Sequence, residues 1–546
     1  MRLEQDHVFI KTKHNLKNLN SVWSAKYQSW RFPKSIYALD EIVKFFPDIA
    51  HVDAWQEIYS KLSEGRRKLK ELKEQPNTED TPHTENLRPY QAQDIQYLTS
   101  IPNAAVFNQA RTGKTPTMIR TIRKRRTMRN VIVCPASLQL NWKKEIERWH
   151  PSATVHMYTG TPKQREQQLE EFKQPRIYPA YLIISKDTLK RDLSALDRTA
   201  YDVLVVDEAH FLRNRTTAQT KAVHSLGKQA KHRYALTGTP TVKHPSDIFG
   251  ILSFLYPSKF TSYWHFIERY FKVYENGFGR EVGELKPNRE AELKDLIDAI
   301  STQRLRKDVM QWLPEKQYHE HTITLSAAQQ KVYKSMADDF IAKMADGTEI
   351  DAQNVLTQLI RLRQITNDPK LLSIDAPSAK TDAILDIIEN NIYTENTEPI
   401  VIMSMFTSYL KHIKPMIEKL GKRVGMIHGE MTVQEKDETV QAFQAGRIDI
   451  LLCNIISAGT GFTLDRGEVI IFTDKAWNPS DNEQAEDRIT PTQKDNAEGK
   501  KHFIVSLVCE NTVDAYIETI LKRKDSLTSI INQCKTIDQF SLFLYN

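Results

Sequence analysis

The chain has 546 residues, a length that implies about three to four domains and excludes a short peptide scaffold. Hydrophobic residues make up 40% and charged residues 27%, with 18 glycines and 23 prolines, which excludes collagen, wholesale disorder and a coiled coil. Lys and Arg number 76 against 69 Asp and Glu, and the net +7 is too mild to identify a nucleic-acid binder by itself. Cys134, Cys453, Cys509 and Cys534 lie far apart with no C-x-x-C pair, so neither a zinc site nor a disulfide framework is expected. No apolar leader and no run approaching about 18 apolar residues occurs, so the expected location is the cytoplasm, away from any membrane.

In chain order, Trp23, Tyr27, Trp30 and Phe32 precede an expected helix over 36–46 and a charged one over 55–73. The charged segment carries Arg66, Arg67, Lys68, Lys70 and Lys73, a run that ordinarily forms a solvated helix face. Residues 74–86, with Pro76, Asn77 and Pro82, read as a polar linker. Beyond it, near-continuous Val/Ile/Leu runs predict strands buried on both faces of parallel sheets. They fall into two groups: 131–133, 181–184 and 203–206, then 400–403, 450–452, 469–472 and 503–505. From 246 to 372 the strand signal fades, and the segment reads as helical, for example over 327–340 and 353–364.

Gly113-Lys114-Thr115 follows an apolar segment and opens an expected helix, the setting of a phosphate-binding loop. There backbone N–H groups hold phosphates, the lysine reaches the β/γ oxygens and the threonine hydroxyl ligates Mg²⁺. The full pattern wants glycine where this chain has Asn108. Val203 to Val206 lead into Asp207-Glu208-Ala209-His210, a buried strand ending in adjacent carboxylates. At such a strand end Asp207 would hold Mg²⁺ and Glu208 would deprotonate the attacking water.

Together these segments resemble superfamily 2 helicases, and further motifs resemble the SNF2 branch. Leu87-Arg88-Pro89-Tyr90-Gln91 resembles its adenine-side motif, with Gln91 as the implied base reader. Cys134-Pro135-Ala136-Ser137-Leu138 with Asn141-Trp142 and Glu145 resembles motif Ia, which touches nucleic-acid backbone, and Leu236-Thr237-Gly238-Thr239-Pro240 resembles motif III. Leu362-Arg363-Gln364-Ile365-Thr366-Asn367-Asp368-Pro369 is similar to the stretch that branch carries before its second lobe. Ser457 to Leu464, containing Gly461, resembles motif V; Trp477-Asn478-Pro479 with Gln484 and Arg488 resembles motif VI. The resemblance covers roughly 87–508. Trp30-Arg31-Phe32-Pro33 resembles the W-x-F-P stretch of the HARP-type domain of annealing helicases, with an aromatic mini-core as the plain alternative.

The resemblance implies an α/β protein with two RecA-like parallel-sheet lobes, helical protrusions and a small N-terminal domain. Its expected parts are an accessory domain over 1–84, a first lobe over 85–255, helical protrusions and a linker over 256–372, and a second lobe over 373–546. The implied catalytic set is Lys114, Asp207, Glu208 and Arg488, with Gln91, Gly113, Lys114, Thr115, Gly461 and Gln484 on ATP and Thr115 and Asp207 on Mg²⁺. The implied function is a DNA-dependent ATPase that translocates on double-stranded DNA. An annealing or strand-separating helicase on branched DNA, and a catalytically weak scaffold, are the alternatives. Three departures from the family pattern stand out: Arg111 at a glycine position, Thr463 where asparagine is usual, and Pro491 near the place of a second arginine, which leaves Arg488 as the arginine finger. The compact chain, without chromatin-reading modules, points to a bacterial or viral source.

Overall fold

A computed structural model describes residues 2–4, 7–10, 22–24, 28–33, 36–74, 87–174, 177–197, 199–241, 244–275, 277, 279–345, 352–393, 399–458, 462–491 and 502–522. The chain divides into two compact units, 1–309 and 310–546.

The first unit is built on a seven-stranded, all-parallel sheet. In space its strands run Ser301–Thr302, Asn103–Val106, Ala230–Leu236, Tyr201–Asp207, Arg129–Cys134, Ala180–Ser185 and Thr154–Met157. The three apolar runs expected in this half are all central strands, and Val131, Val133, Leu182, Ile184, Val203 and Val205 are fully buried. Parallel neighbours require crossovers, and helices such as Lys114–Arg125, Gln139–Trp149 and Ala218–Gly227 supply them. Several helices start on the residues their chemistry demands: Thr161, Ser185 and Thr217 each accept a backbone N–H of the first turn.

The N-terminal part of this unit is a four-stranded antiparallel sheet over residues 2–33, followed by the helices Ile36–Phe45 and Asp53–Glu74. Trp30-Arg31-Phe32-Pro33 lies in its strand Ser29–Pro33, paired with His7–Ile10, and the side chains of Trp23, Trp30 and Phe32 lie outside the description. Ile10, Leu39, Ile42, Trp55 and Ile58 make a small core of their own. The helix Asp53–Glu74 also packs on the main body: Leu69 and Leu72 reach the sheet core, Arg66 pairs with Asp295, and the Lys73 ammonium lies 4.8 Å above the Tyr97 ring. Arg67, Lys68 and Lys70 pair with glutamates four residues away. Of the expected linker over 74–86, only Glu74 is described.

The second unit holds a six-stranded parallel sheet in the order Lys316–Ile323, His502–Cys509, Val469–Phe472, Ile400–Ser404, Ile450–Asn454, Val424–Ile427. The four apolar runs expected here occupy its centre. The stretch from 246 to 372, expected to be helical, does contain the helices Ile248–Leu255, Tyr263–Tyr270, Ala327–Ala345 and Ala352–Asn367. It also contributes strands: the hairpin of Phe271–Glu275 with Arg280–Leu285, the short Ser301–Thr302, and Lys316–Ile323. Lys316–Ile323 is a sheet edge with Gln317, Tyr318, His319 and Glu320 exposed, so it lacks the apolar run that marks a central strand. Trp264, Phe266, Tyr270 and Phe271 pack among Phe249, Phe260 and Tyr263 as core aromatics. No helix among the described residues is long and apolar enough to cross a membrane.

Candidate nucleotide site

In the first unit the strand Asn103–Val106 runs into a loop that ends at Gly113, the N-cap of the helix Lys114–Arg125. Gly113 has φ 80°, a left-handed conformation that favours glycine, and a Cβ there would press on the end of the Gln91 side chain. Arg111, at the position where the family carries glycine, takes the left-handed conformation itself, with φ 69°.

Gln91 joins the loop to the helix Pro89–Ser100. Its Oε1 accepts the Arg88 N–H at 2.9 Å, and its Nε2 donates to the carbonyls of Thr112 and Gly113 at 3.4 and 3.3 Å. The Tyr90 hydroxyl donates to the Thr112 carbonyl at 2.9 Å. Asn108 is fully buried and donates to Asp94 at 2.8 Å, and Asp94 is in turn paired with Arg304 at 2.7 Å. The missing glycine is thus replaced by an anchor that fixes the loop to a buried ion pair. The Lys114 ammonium donates to the carbonyls of Asn108 and Gln109 at 2.9 and 3.2 Å, and Thr115 follows it in the first turn.

Asp207 ends the strand Tyr201–Asp207, with the strand Ala230–Leu236 between it and the strand that feeds the loop. It is buried. Oδ2 accepts the indole N–H of Trp142 at 2.9 Å and Oδ1 accepts the Glu208 N–H at 2.9 Å. Burial, and then the neighbouring Glu208 charge, push its carboxyl up to about 6, while the Trp142 bond and the Lys114 ammonium pull the other way. Glu208 turns the chain with φ 50°, and its Oε2 lies 3.3 Å from His210 Nδ1. That imidazole nitrogen is 3.4 Å from the buried Thr237 hydroxyl. Gly238 lies against the loop, where an added Cβ would meet Lys114 Nζ at 3.7 Å. Lys114, Asp207, Glu208, Thr237 and Gly238 therefore form one cluster. Trp142 belongs to it too, and sequence reading gave it no such role. The available signal was the spacing of Leu138, Trp142, Ile146 and Trp149, which puts Trp142 on a core face where its N–H needs a partner.

Two basic residues on the helix that follows the loop, Arg120 and Arg125, make contacts within the fold. Arg120 stacks on Trp149 at 5.0 Å, and Arg125 donates to the Tyr234 hydroxyl and the Leu98 carbonyl.

In the second unit Gln484 lies half-buried on the helix Pro479–Glu486, capped by Asn478. Arg488 Nη1 donates to the Phe462 carbonyl at 3.2 Å, and the Leu464 N–H donates to the Arg488 carbonyl at 2.8 Å, so the segments resembling motifs V and VI are tied together. Gly461 lies outside the described residues, Thr463 offers its carbonyl to Gln444, and Pro491 is buried. Arg363 is buried, donates to Asp474 and lies 4.5 Å over the Trp477 ring. Asp474 also accepts from Asn367 at 2.9 Å and from the Met405 N–H at 2.9 Å. Lys380, fully buried, pairs with Asp514. Burial is the largest single influence and would lower its ammonium, but the Asp514 charge and hydrogen bond, with the Cys509 and Asp474 charges, together hold it above its ordinary value.

Two parallel-sheet units, the first carrying a lysine loop beside a strand-end acid pair, place the chain among helicase-type α/β proteins. It belongs to the SNF2-related domain family, whose signature matches residues 66–371, followed by a helicase conserved C-terminal domain over 379–490. It is 24% identical over 457 residues to an uncharacterized ATP-dependent helicase of Mycoplasma pneumoniae, covering 81% of this chain and 42% of that protein. It is 25% identical over 478 residues to the human SWI/SNF-related matrix-associated actin-dependent regulator of chromatin subfamily A member 1, covering 83% of this chain and 44% of that protein. The chain spans about half or less of the length of these relatives. Among solved structures, the Sulfolobus solfataricus SWI2/SNF2 ATPase core in complex with dsDNA aligns with 24% identity and a TM-score of 0.39, over 85% of this chain and 96% of that one.

Proposed function

We propose that the chain is an ATP-dependent translocase of double-stranded DNA. The observation that carries this reading is the cluster in the first unit: a lysine at the head of a helix, held on loop carbonyls, beside a buried carboxylate and a second acid at a strand end. The N-terminus of the helix Lys114–Arg125 offers N–H groups and a positive dipole end to phosphates. Lys114 exchanges its two carbonyl partners for phosphate oxygens. The Thr115 hydroxyl and the Asp207 carboxylate are hard oxygen donors that fit Mg²⁺, which would neutralise phosphate charge when bound. Glu208 orients a water and takes its proton as the water oxygen attacks the γ-phosphorus. The bridging P–O bond breaks toward ADP, and inorganic phosphate remains.

In this reading Gln91 also faces the adenine, Gly461 and Gln484 contribute from the second unit, and Arg488 offsets charge that develops in the transition state. His210, between Glu208 and Thr237, is placed to relay the state of the nucleotide to the next strand end.

Duplex tracking, as opposed to strand splitting, is supported by the turn at 464–468. Leu464 and Asp465 are buried, and Arg466 donates to the carbonyls of Phe443 and Ile448 at 3.1 and 2.7 Å. No aromatic-tipped hairpin lies there among the described residues. The test is displacement of a triplex-forming third strand, set beside unwinding of a forked duplex. ATP-dependent triplex displacement with an intact fork is expected; robust fork unwinding would replace the reading with a strand-separating helicase.

A further inference from the structure

The Trp142–Asp207 pair links a residue outside the implied catalytic and nucleotide-binding set to the carboxylate at the centre of the cluster. Trp142 lies fully buried on the helix Gln139–Trp149, whose core face it shares with Ile146. It shares one core cluster with Ile132, Cys134, Ile183 and Val205, none of which offers an indole a side-chain hydrogen-bond acceptor of comparable strength. Its N–H instead meets Asp207 Oδ2 at 2.9 Å, while the Glu208 N–H holds Oδ1 at the same distance. The two donors come from different elements, a helix and the strand end, and engage different oxygens. Together they fix both torsions of the carboxylate and leave each oxygen lone-pair capacity for another partner.

We propose that Trp142 is a positioning residue: its indole N–H holds Asp207 in the rotamer that receives the nucleotide-bound cation. The inference rests on the reading of Asp207 as a Mg²⁺ donor. An indole is suited to the task. It is rigid, it is immobilised by packing on the sheet, and it donates one hydrogen bond with no competing acceptor. A carboxylate held this way meets the cation without first paying to become ordered, and removing such an outer partner typically costs about 10- to 100-fold in metal affinity or activity.

The variant Trp142→Phe deletes the N–H but also leaves a gap in the core. A second variant therefore carries β-(3-benzothienyl)alanine at 142, an isostere in which sulfur replaces the N–H, and a third carries 5-fluorotryptophan, which keeps the donor. Binding of a fluorescent, non-hydrolysable ATP analogue to the full chain is followed while Mg²⁺ is titrated, and melting temperature is recorded alongside. The isostere is expected to raise the half-saturating Mg²⁺ about 10-fold at nearly unchanged melting temperature, and 5-fluorotryptophan to restore the wild-type value. A purely structural tryptophan would shift melting and leave the Mg²⁺ midpoint alone. An isostere with the wild-type midpoint overturns the positioning role while the nucleotide site stands. Wild-type protein whose analogue binding ignores Mg²⁺ overturns the site reading and this inference together.

Discussion

The two units each bury a polar cluster, and the clusters differ in how their charges are arranged. In the second unit Arg363 pairs with Asp474 and Lys380 with Asp514, and Asp474 also accepts from the Asn367 amide and the Met405 N–H. In the first unit Asp207 is buried against a like charge, its carboxyl is pushed up to about 6, Glu208 sits in a left-handed turn, and the Lys114 ammonium donates to loop carbonyls while its charge pulls on Asp207. One cluster, closed by opposite charges, holds elements together. The other, open by comparison, sets two acids side by side at a strained turn, the pattern of a functional site.

Substitutions should separate the two clusters cleanly. Lys114→Ala and Glu208→Gln are expected to lower ATP turnover by several orders of magnitude without lowering the melting temperature, and Glu208→Gln should still bind ATP; steady-state kinetics with nucleotide-binding assays check both. Arg488→Ala should also cut turnover strongly, by up to about 10³-fold or more, with little change in nucleotide affinity. Normal hydrolysis in that variant would remove Arg488 from the reaction. In the closed cluster the effect should be the reverse. Asp474→Ala strands the buried Arg363 and is expected to cost about 3–5 kcal/mol of stability, read by denaturant unfolding of the second unit.

A smaller effect tests the strain in the open cluster. Asp207 keeps its proton more readily in the folded chain than in the unfolded one, so folding takes up a proton between the ordinary carboxyl range and about pH 6. Stability of the nucleotide-free protein should therefore fall as pH rises through that window. Asp207→Asn should flatten that part of the profile. The smallest expected effect is at Arg111: glycine relieves a left-handed residue worth about 1–2 kcal/mol, so Arg111→Gly should leave melting unchanged or slightly raised.

How much of this was legible in the sequence depended on whether the signal was local. Val203 to Asp207 carried both a buried-strand pattern and the acid pair in one short run, and Gly113-Lys114-Thr115 carried the loop. Central strands buried on both faces announce themselves. The edge strand Lys316–Ile323 does not, because solvent on its faces permits Gln, His and Glu. Partners far apart in the chain were equally silent: Asn108 with Asp94 and Arg304, Trp142 with Asp207, Arg363 with Asp474. Asn108 looked like a defect in the loop, yet it is the loop's anchor. Residues 1–84 read as an accessory domain, and the sequence did not show that the helix Asp53–Glu74 packs on the sheet core through Leu69 and Leu72 and on Tyr97 through Lys73, contacts that only the fold brings together.

The most direct measurement is ATP turnover by the purified chain with no nucleic acid, with single strands, with RNA and with duplex DNA, at two salt concentrations, with Lys114→Ala as control. Duplex DNA is expected to stimulate turnover most, the stimulation should fall steeply with salt as phosphate contacts are screened, and Lys114→Ala should abolish it. Turnover that ignores duplex DNA, or that survives in Lys114→Ala, would contradict the assignment of the open cluster as the engine of a duplex translocase.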